Sequence, residues 1–275
     1  MITVQLTNGF GNNLFQYISA RLLAEFHNQD VFAISPNDSY YALNDLRKLG
    51  IKFTDKHATD VLNVSDANYK IAFNERYKDY HFHLTGYFED HTYYDKDMAV
   101  IKTWFPAVKK RNNDDLVIHF RAGDRLFYKN EFNDKPLVED YINAIKQFDF
   151  THLHIVTDMV EWDYLTKEKL ENMKFHVHVP KEVRVPIQMS VDYFNTFIDG
   201  LGKYNPIVEK RTILEDFNFI RSFDNILFQH GTLGWWASAL SDAKKVGVYG
   251  PWRPWKGASN KNLSNINLKG WFKWG

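Results

Sequence analysis

The sequence predicts an α/β fold built on parallel sheets and divided into two domains. Three observations carry this. Short apolar runs alternate with segments of helical spacing, polar clusters follow directly on several of those runs, and 275 residues are enough for two cores. Strand-like runs fall at Ile2 to Leu6, Val31 to Ser35, Leu116 to Phe120, His152 to Thr157, Phe175 to Val179, Asn225 to Gln229 and Val246 to Tyr249. Helices are expected from about Asn13 to Phe26 and near Glu139 to Phe148. In the first of them Leu14, Phe15, Ile18, Leu22 and Phe26 recur at three- and four-residue spacing, which makes one apolar stripe. The composition shifts at "KKRNNDD", just before the apolar strand "LVIHF". That shift sets the expected boundary, with an N-terminal domain over residues 1–108 and a C-terminal one over 109–275.

Bulk properties narrow the function. Equal counts of 34 basic and 34 acidic residues give zero formal net charge, so no global field favours nucleic acid or an anionic membrane. The absence of cysteine excludes disulfides, thiolate catalysis and thiolate-bound zinc, and suits a reducing compartment. No run of about 20 apolar residues occurs, and the chain opens directly on a strand-like run. A soluble, cytoplasmic protein without an integral membrane segment is expected. The 22 Phe, 15 Tyr and 8 Trp are chiefly core material, although Trp and Tyr faces also suit the C–H faces of sugar rings.

Ligands of open parallel sheets bind beyond the carboxyl ends of the strands. Polar groups stand at four such ends: Asn8 to Asn13, His119 to Asp124, Asp158, and His230 to Thr232. The first, within "LTNGFGNNLFQY", is not a dinucleotide fingerprint, because Leu14 occupies the place of the third glycine. Nor is it a P-loop, since no Gly-Lys-Ser/Thr follows. On its own it reads as a strand-to-helix turn that uses glycine for its dihedrals. In "HFRAGDRL", Arg121 leaves a buried strand ahead of Gly123, and a fixed guanidinium fork matches phosphate oxygens. An Arg121 to Asp124 ion pair that merely pins the loop is the structural alternative. In "QHGTLGWWASAL", Gly231 and Thr232 open a helix whose free N–H groups favour an anion. The plainer account makes Thr232 an N-cap and Trp235 and Trp236 core. Together the arginine and the helix start describe a diphosphate site that needs no metal. Asp95 and Asp97 in "DKD" have the spacing of metal-binding carboxylates, a match expected by chance. The pairs His81/His83, His152/His154 and His176/His178 lack a third ligand at usable spacing, so no metal site is expected.

Five segments, taken in order, resemble the α1,2-fucosyltransferase family of inverting glycosyltransferases, within a superfamily that includes the α1,6- and protein O-fucosyltransferases. "GFGNNLFQYISARLLA" is similar to that family's G-x-G-N-Q-L-F-Q-Y opening, and "LTGYFEDHTYY" to its G-Y-F-Q-S-x-x-Y-F segment. "VIHFRAGDRL" is similar to H-x-R-R-G-D, "HIVTDMVEW" to F-S-D-D-x-x-W, and "NILFQHGTLGWWASALSDAKKVGVYGPW" to N-S-T-F-S-W-W-A-A-x-L ending in P-x-x-W. The resemblance implies a GT-B-like pair of Rossmann-like domains facing across a cleft, an acceptor-side N-terminal domain, and a C-terminal domain that binds the nucleotide-sugar donor. It further implies metal-independent transfer of fucose from GDP-fucose to a glycan hydroxyl, with no cofactor.

Residue by residue, the resemblance implies that Arg121 and Thr232 with its helix bind the donor diphosphate, with Gly231 and Asp158 at the same site. It implies that the backbone near His119 faces the base and that Asp216 reads guanine. A carboxylate accepts from both N1–H and the exocyclic amine of guanine, which uracil lacks. Without the resemblance Asp216 reads as a solvated helix residue beside Glu215. Gly9, Gly11 and Asn12 become a contact loop for donor and acceptor. The general base is sought at Asp124 first and Glu131 second, with Glu89 or Asp90 as candidates in the other domain. Three departures stand out: Asn13 for Gln, Ala122 for the second Arg, and Gly234 for Ser. The loss of an arginine leaves open another donor on the same scaffold, such as a UDP-pentose, and a non-catalytic carbohydrate-binding protein is the alternative from a different class. The segment from about Met189 to Lys210 has no counterpart in the family pattern and is expected to shape the acceptor side. The tail "KGWFKWG" is expected to pack back on the N-terminal domain.

Overall fold

Ten strands, each paired in parallel, form two sheets among the described residues. The structure, a computed structural model, describes residues 1–37, 40–56, 59–111, 114–121, 135–158, 187–229, 231–250, 268 and 270–275. The expected run Phe175 to Val179 and the pair His176/His178 lie outside them. The chain divides into two units. One includes Met1–Val108 and Trp235–Leu240, the other Lys109–Gly234, Ser241–Gly250 and Lys269–Gly275.

The first unit carries β1 (Ile2–Gln5), β2 (Val31–Ile34), β3 (Val61–Val64) and β4 (His81–Leu84), in the order β2-β1-β4-β3. Its helices are α1 (Phe10–His27), α2 (Leu43–Lys48), α3 (Tyr69–Ala72) and α4 (Met98–Thr103). Strands β3 and β4, "VLNV" and "HFHL", escape a search for apolar runs because they are short and interrupted by Asn63, His81 and His83. Pairing to β1 and to each other defines them. Helix α1 begins three residues earlier than its apolar spacing predicts. Gly9 is the N-cap, and Asn13 donates from its backbone to the Gly9 carbonyl at 3.1 Å. The predicted stripe is also too narrow. Leu14, Phe15, Ile18 and Leu22 are buried as expected, but so are Asn13, Gln16 and Ser19, whereas Phe26 is 40% exposed and meets Phe73 edge-on. Trp235 and Trp236, both fully buried, pack against Phe15 at centroid distances of 4.9 Å. They are core, as the plainer sequence account has it.

The second unit holds β5 (Leu116–Phe120), β6 (Leu153–Thr157), β7 (Ile207–Glu209), β8 (Asn225–Phe228), β9 (Lys245–Tyr249) and β10 (Phe272–Trp274). The order is β10-β9-β8-β5-β6-β7. Its helices are α5 (Val138–Ile145), α6 (Ile187–Gly200) and α7 (Ile213–Arg221), and α8 (Thr232–Ala239) follows β8. Strands β5 and β6 are buried at every position, which is why they read as continuous apolar runs. Leu116, Ile118 and Phe120 on one face of β5 pack with Tyr141 and Ile145 of α5 and Phe197 of α6. The segment from about Met189 to Lys210 supplies most of the core helix α6 and the edge strand β7. The tail, expected on the N-terminal domain, instead adds β10 to this sheet, with Trp274 buried against Tyr141 and Tyr249. Its aromatics alternate, so Phe272 and Trp274 share one face of the strand. Among the described residues no helix is long and apolar enough to cross a membrane.

Buried amides in the first two turns of α1 explain part of the opening motif. Gln16 accepts from Thr7 N at 3.0 Å and donates to Thr7 Oγ1 at 2.7 Å and to the Gly86 carbonyl at 2.9 Å. Asn13 donates to the Thr7 carbonyl at 2.8 Å and to Gln16 Oε1 at 3.2 Å. The loop after β1 and the loop after β4 are thereby tied to one helix face. Replacing Gln16 by Leu keeps the volume but leaves Thr7 N and the Gly86 carbonyl short of a partner. An expected loss of about 3 kcal/mol follows from unsatisfied buried groups, read as a lower urea midpoint at unchanged m-value.

Candidate functional site

Each sheet reverses its strand order once, and the crevice at such a reversal is where doubly wound folds place ligands. In the first unit the reversal lies between β1 and β4, in the second between β5 and β8.

At the first reversal the expected glycine turn is not what the backbone shows. Gly9 is extended at φ −81°, a conformation open to any residue, and the left-handed position is Asn8 at φ 61°. Gly11 and Asn12 lie inside the first turn of α1. Asn12 Nδ2 donates to Glu89 Oε1 at 3.1 Å, and Asn8 Nδ2 donates to the Tyr87 hydroxyl at 2.6 Å. Phe88 sits at φ 55°, strained for a bulky side chain, just beyond β4. Tyr41, which accepts from Phe10 N at 3.1 Å, and Tyr87 both remain largely exposed. The result is an amide, a carboxylate and two aromatic faces beside a helix start.

The second reversal brings most of the other predicted residues together. Arg121 emerges from β5 and pairs with Asp158, which follows β6. The Gln229 amide donates to the Arg121 carbonyl and accepts from the buried Tyr141 hydroxyl, so the end of β8 holds the end of β5. The sequence reading used neither Gln229 nor Tyr141 as a site residue. The available signal was a polar residue closing the apolar run "NILF". Gly231 has φ 133°, which side-chain-bearing residues rarely adopt, and a Cβ there would lie 3.5 Å from both Arg121 Cγ and His119 Cε1. Thr232 then starts α8. Asp124 and Glu131, together with Ala122, Gly123 and His230, lie outside the described residues.

His119 is buried beneath this edge, and its Nδ1 has no hydrogen-bond partner. Burial first, and the Arg121 charge second, push its imidazole down to about 3, so it is neutral at physiological pH. Asp216 sits in the first turn of α7, whose start is a Thr212–Glu215 capping box, a T-x-x-E signal legible in the sequence. It is not the solvated residue of the plainer account. Asp216 Oδ1 is buried without a partner. Burial, with the carboxylates of Glu209, Glu215 and Asp158 adding and Arg211 opposing, raises its carboxyl to about 7.

No protein-family model matches the chain, and no curated protein does. Among solved structures, a mutant of Arabidopsis thaliana FUT1 in complex with GDP is similar at 11% identity and a TM-score of 0.46. The similarity covers 92% of this chain and 70% of that one.

The histidine pairs are engaged elsewhere. His152 and His154 meet the buried Asp115 at 2.9 and 3.4 Å, and His81 and His83 bond the N-terminal amine and Thr3. Among the described residues no group of three His, Asp or Glu side chains could hold a metal. Asp95 caps nothing and lies 3.4 Å from His91.

Gly234, one of the departures noted above, has a local cause. A Cβ on it would lie 2.5 Å from His119 Nδ1 and 3.3 Å from Phe228 Cβ. Alanine gains about 1 kcal/mol of helix propensity but drives a methyl into a boxed-in ring. Gly234→Ala is expected to lower stability by a net ~1–3 kcal/mol in denaturant unfolding. A variant as stable as the parent would show that His119 can move aside.

Proposed function

We propose that the protein is a metal-independent inverting glycosyltransferase of GT-B type that moves fucose from GDP-fucose to a hydroxyl of a glycan. One observation carries this reading: Arg121 and the Gly231–Thr232 helix start converge at the strand-order reversal of the second sheet. The motif resemblance and the orphaned Asp216 carboxyl add the guanine donor. The acceptor oxygen attacks the anomeric carbon from the face opposite GDP, through an oxocarbenium-like transition state, and negative charge grows on the departing diphosphate. Arg121, held by Asp158, presents a fixed guanidinium charge to the diphosphate. The N–H groups at the start of α8 add dipolar stabilisation. Asp158, itself anionic, serves by orienting Arg121 rather than by touching phosphate. His119 lends a neutral wall that does not compete for protons. In the first unit, Asn12, Gly9, Gly11 and the exposed Tyr41 and Tyr87 form the acceptor-side surface. Asp124, with Glu131 second, takes the proton of the attacking hydroxyl, a contribution of about 10² to 10⁴ in rate.

Arg121→Ala should lower turnover by about a hundredfold or more with folding intact. Asp124→Asn should lose turnover while keeping GDP affinity. Near-normal turnover in the arginine variant would remove the assignment, and calorimetric binding of UDP in preference to GDP would move it to the UDP-pentose alternative.

A pH dependence follows from Asp216. Its ionised form accepts from N1–H and the exocyclic amine, and its raised value of about 7 means that ionisation is lost as pH falls through neutrality. GDP affinity is expected to weaken about tenfold for each pH unit below 7, and proton release should accompany binding near pH 7. Asp216→Asn should show weak, pH-independent binding. Calorimetry in buffers of different ionisation enthalpy measures both.

A further inference from the structure

Among the buried polar atoms of the second unit that lack hydrogen-bond partners are the acceptor Asp216 Oδ1 and the donor Arg211 Nη1. Arg211 lies between β7 and α7, and its head is fixed. Nη2 pairs with Glu209 Oε2 at 2.7 Å, and the guanidinium carbon stands 3.6 Å from the centroid of the Phe219 ring. Glu209 is itself held, because its Oε1 lies 2.6 Å from His154 Nδ1, whose other nitrogen faces Asp115 at 3.4 Å. The chain of contacts from Asp115 through His154 and Glu209 ends at an arginine with one nitrogen committed and one not. The charge of Arg211 acts on Asp216, yet the two form no hydrogen bond. A buried guanidinium N–H and a buried carboxylate oxygen, each left open on the short stretch from the end of β7 to the first turn of α7, cost free energy unless a ligand or water completes them.

A donor beside an acceptor is the complement of a nucleobase edge. Guanine presents the O6 acceptor next to the N1–H and exocyclic amine donors. We propose that Arg211 is a second base-reading residue, whose Nη1 donates to guanine O6 while Asp216 accepts from N1–H and the amine, with Glu209 and Phe219 as the residues that position it. The inference rests on the guanine-nucleotide reading of the donor. It adds to that reading a residue outside every motif of the sequence, and it gives the edge strand β7 a purpose beyond closing the sheet.

The probe is 6-thioguanosine diphosphate, which replaces O6 by a weakly accepting sulfur and keeps N1–H and the amine. Calorimetry on the full chain should find GDP bound about tenfold or more tightly than the thio analogue, the worth of one hydrogen bond to a charged donor. In Arg211→Gln that ratio should fall towards one, and in Glu209→Gln it should fall part of the way, while Asp216→Asn weakens both ligands together. A role for Arg211 in folding alone would leave the ratio unchanged. Equal binding of GDP and the thio analogue by the parent protein overturns the proposal whether or not the variants fold. So does an unchanged ratio in a folded Arg211→Gln that still binds GDP. If the parent binds no guanine nucleotide, the donor reading fails and the proposal fails with it, which separates the two failures.

Discussion

The hydrogen-bonding of β5 to β6 on one side and β8 on the other is the constraint on which the second unit depends. Because β5 is buried on both faces and paired along both edges, the positions of Arg121, Asp158 and Gly231 are set by register rather than by loop conformation. His119 stands opposite both Val156 and Phe228, so the residues that follow each strand emerge together. The bonds from Gln229 to the Arg121 carbonyl and from Tyr141 to Gln229 then lock that edge to the core helix α5. A preorganised cation at a strand end is worth more to catalysis than the same charge on a loop, since no reorganisation is needed as charge develops.

The ionisable contacts built around His154 lie on one face of the sheet. The face that carries Leu116, Ile118 and Phe120 is apolar and covered by α5 and α6. Alternate residues put His119 and His154 on the other, and the Asp115, Glu209 and Arg211 contacts follow them. Burying so many ionisable groups is costly unless each is paired, and most are. His119 Nδ1, Arg211 Nη1 and Asp216 Oδ1 are among the buried atoms without a hydrogen-bond partner. His119 is neutral and confined by Gly231 and Gly234.

The first unit uses the same logic with amides in place of ions. Asn13 and Gln16 sit where an apolar stripe would place hydrophobes, and they tie the ends of β1 and β4 to α1. Asn12, one position away, faces Glu89 instead. The run "GNNLFQY" therefore divides between two tasks, internal scaffolding by Asn13 and Gln16 and an outward polar surface by Asn12. Glycine dihedrals, the first explanation of the motif, are not what Gly9 supplies.

The sequence by itself determined the α/β class, the strands "LVIHF", "LHIVT" and "NILF", the core role of Trp235 and Trp236, and the strand ends where polar groups gather. These are properties of local pattern, since a strand buried on both faces is mostly apolar and a helix start needs a turn before it. Only the tertiary structure decided which strands are neighbours, and so which strand ends meet. It chose Asp158 as the partner of Arg121 among the described residues, made Gly234 a matter of space for His119, turned the tail into β10, and set Arg211 beside Asp216. None of these is legible along the chain, because each depends on burial and on an approach of side chains or strands that sheet register and helix placement fix.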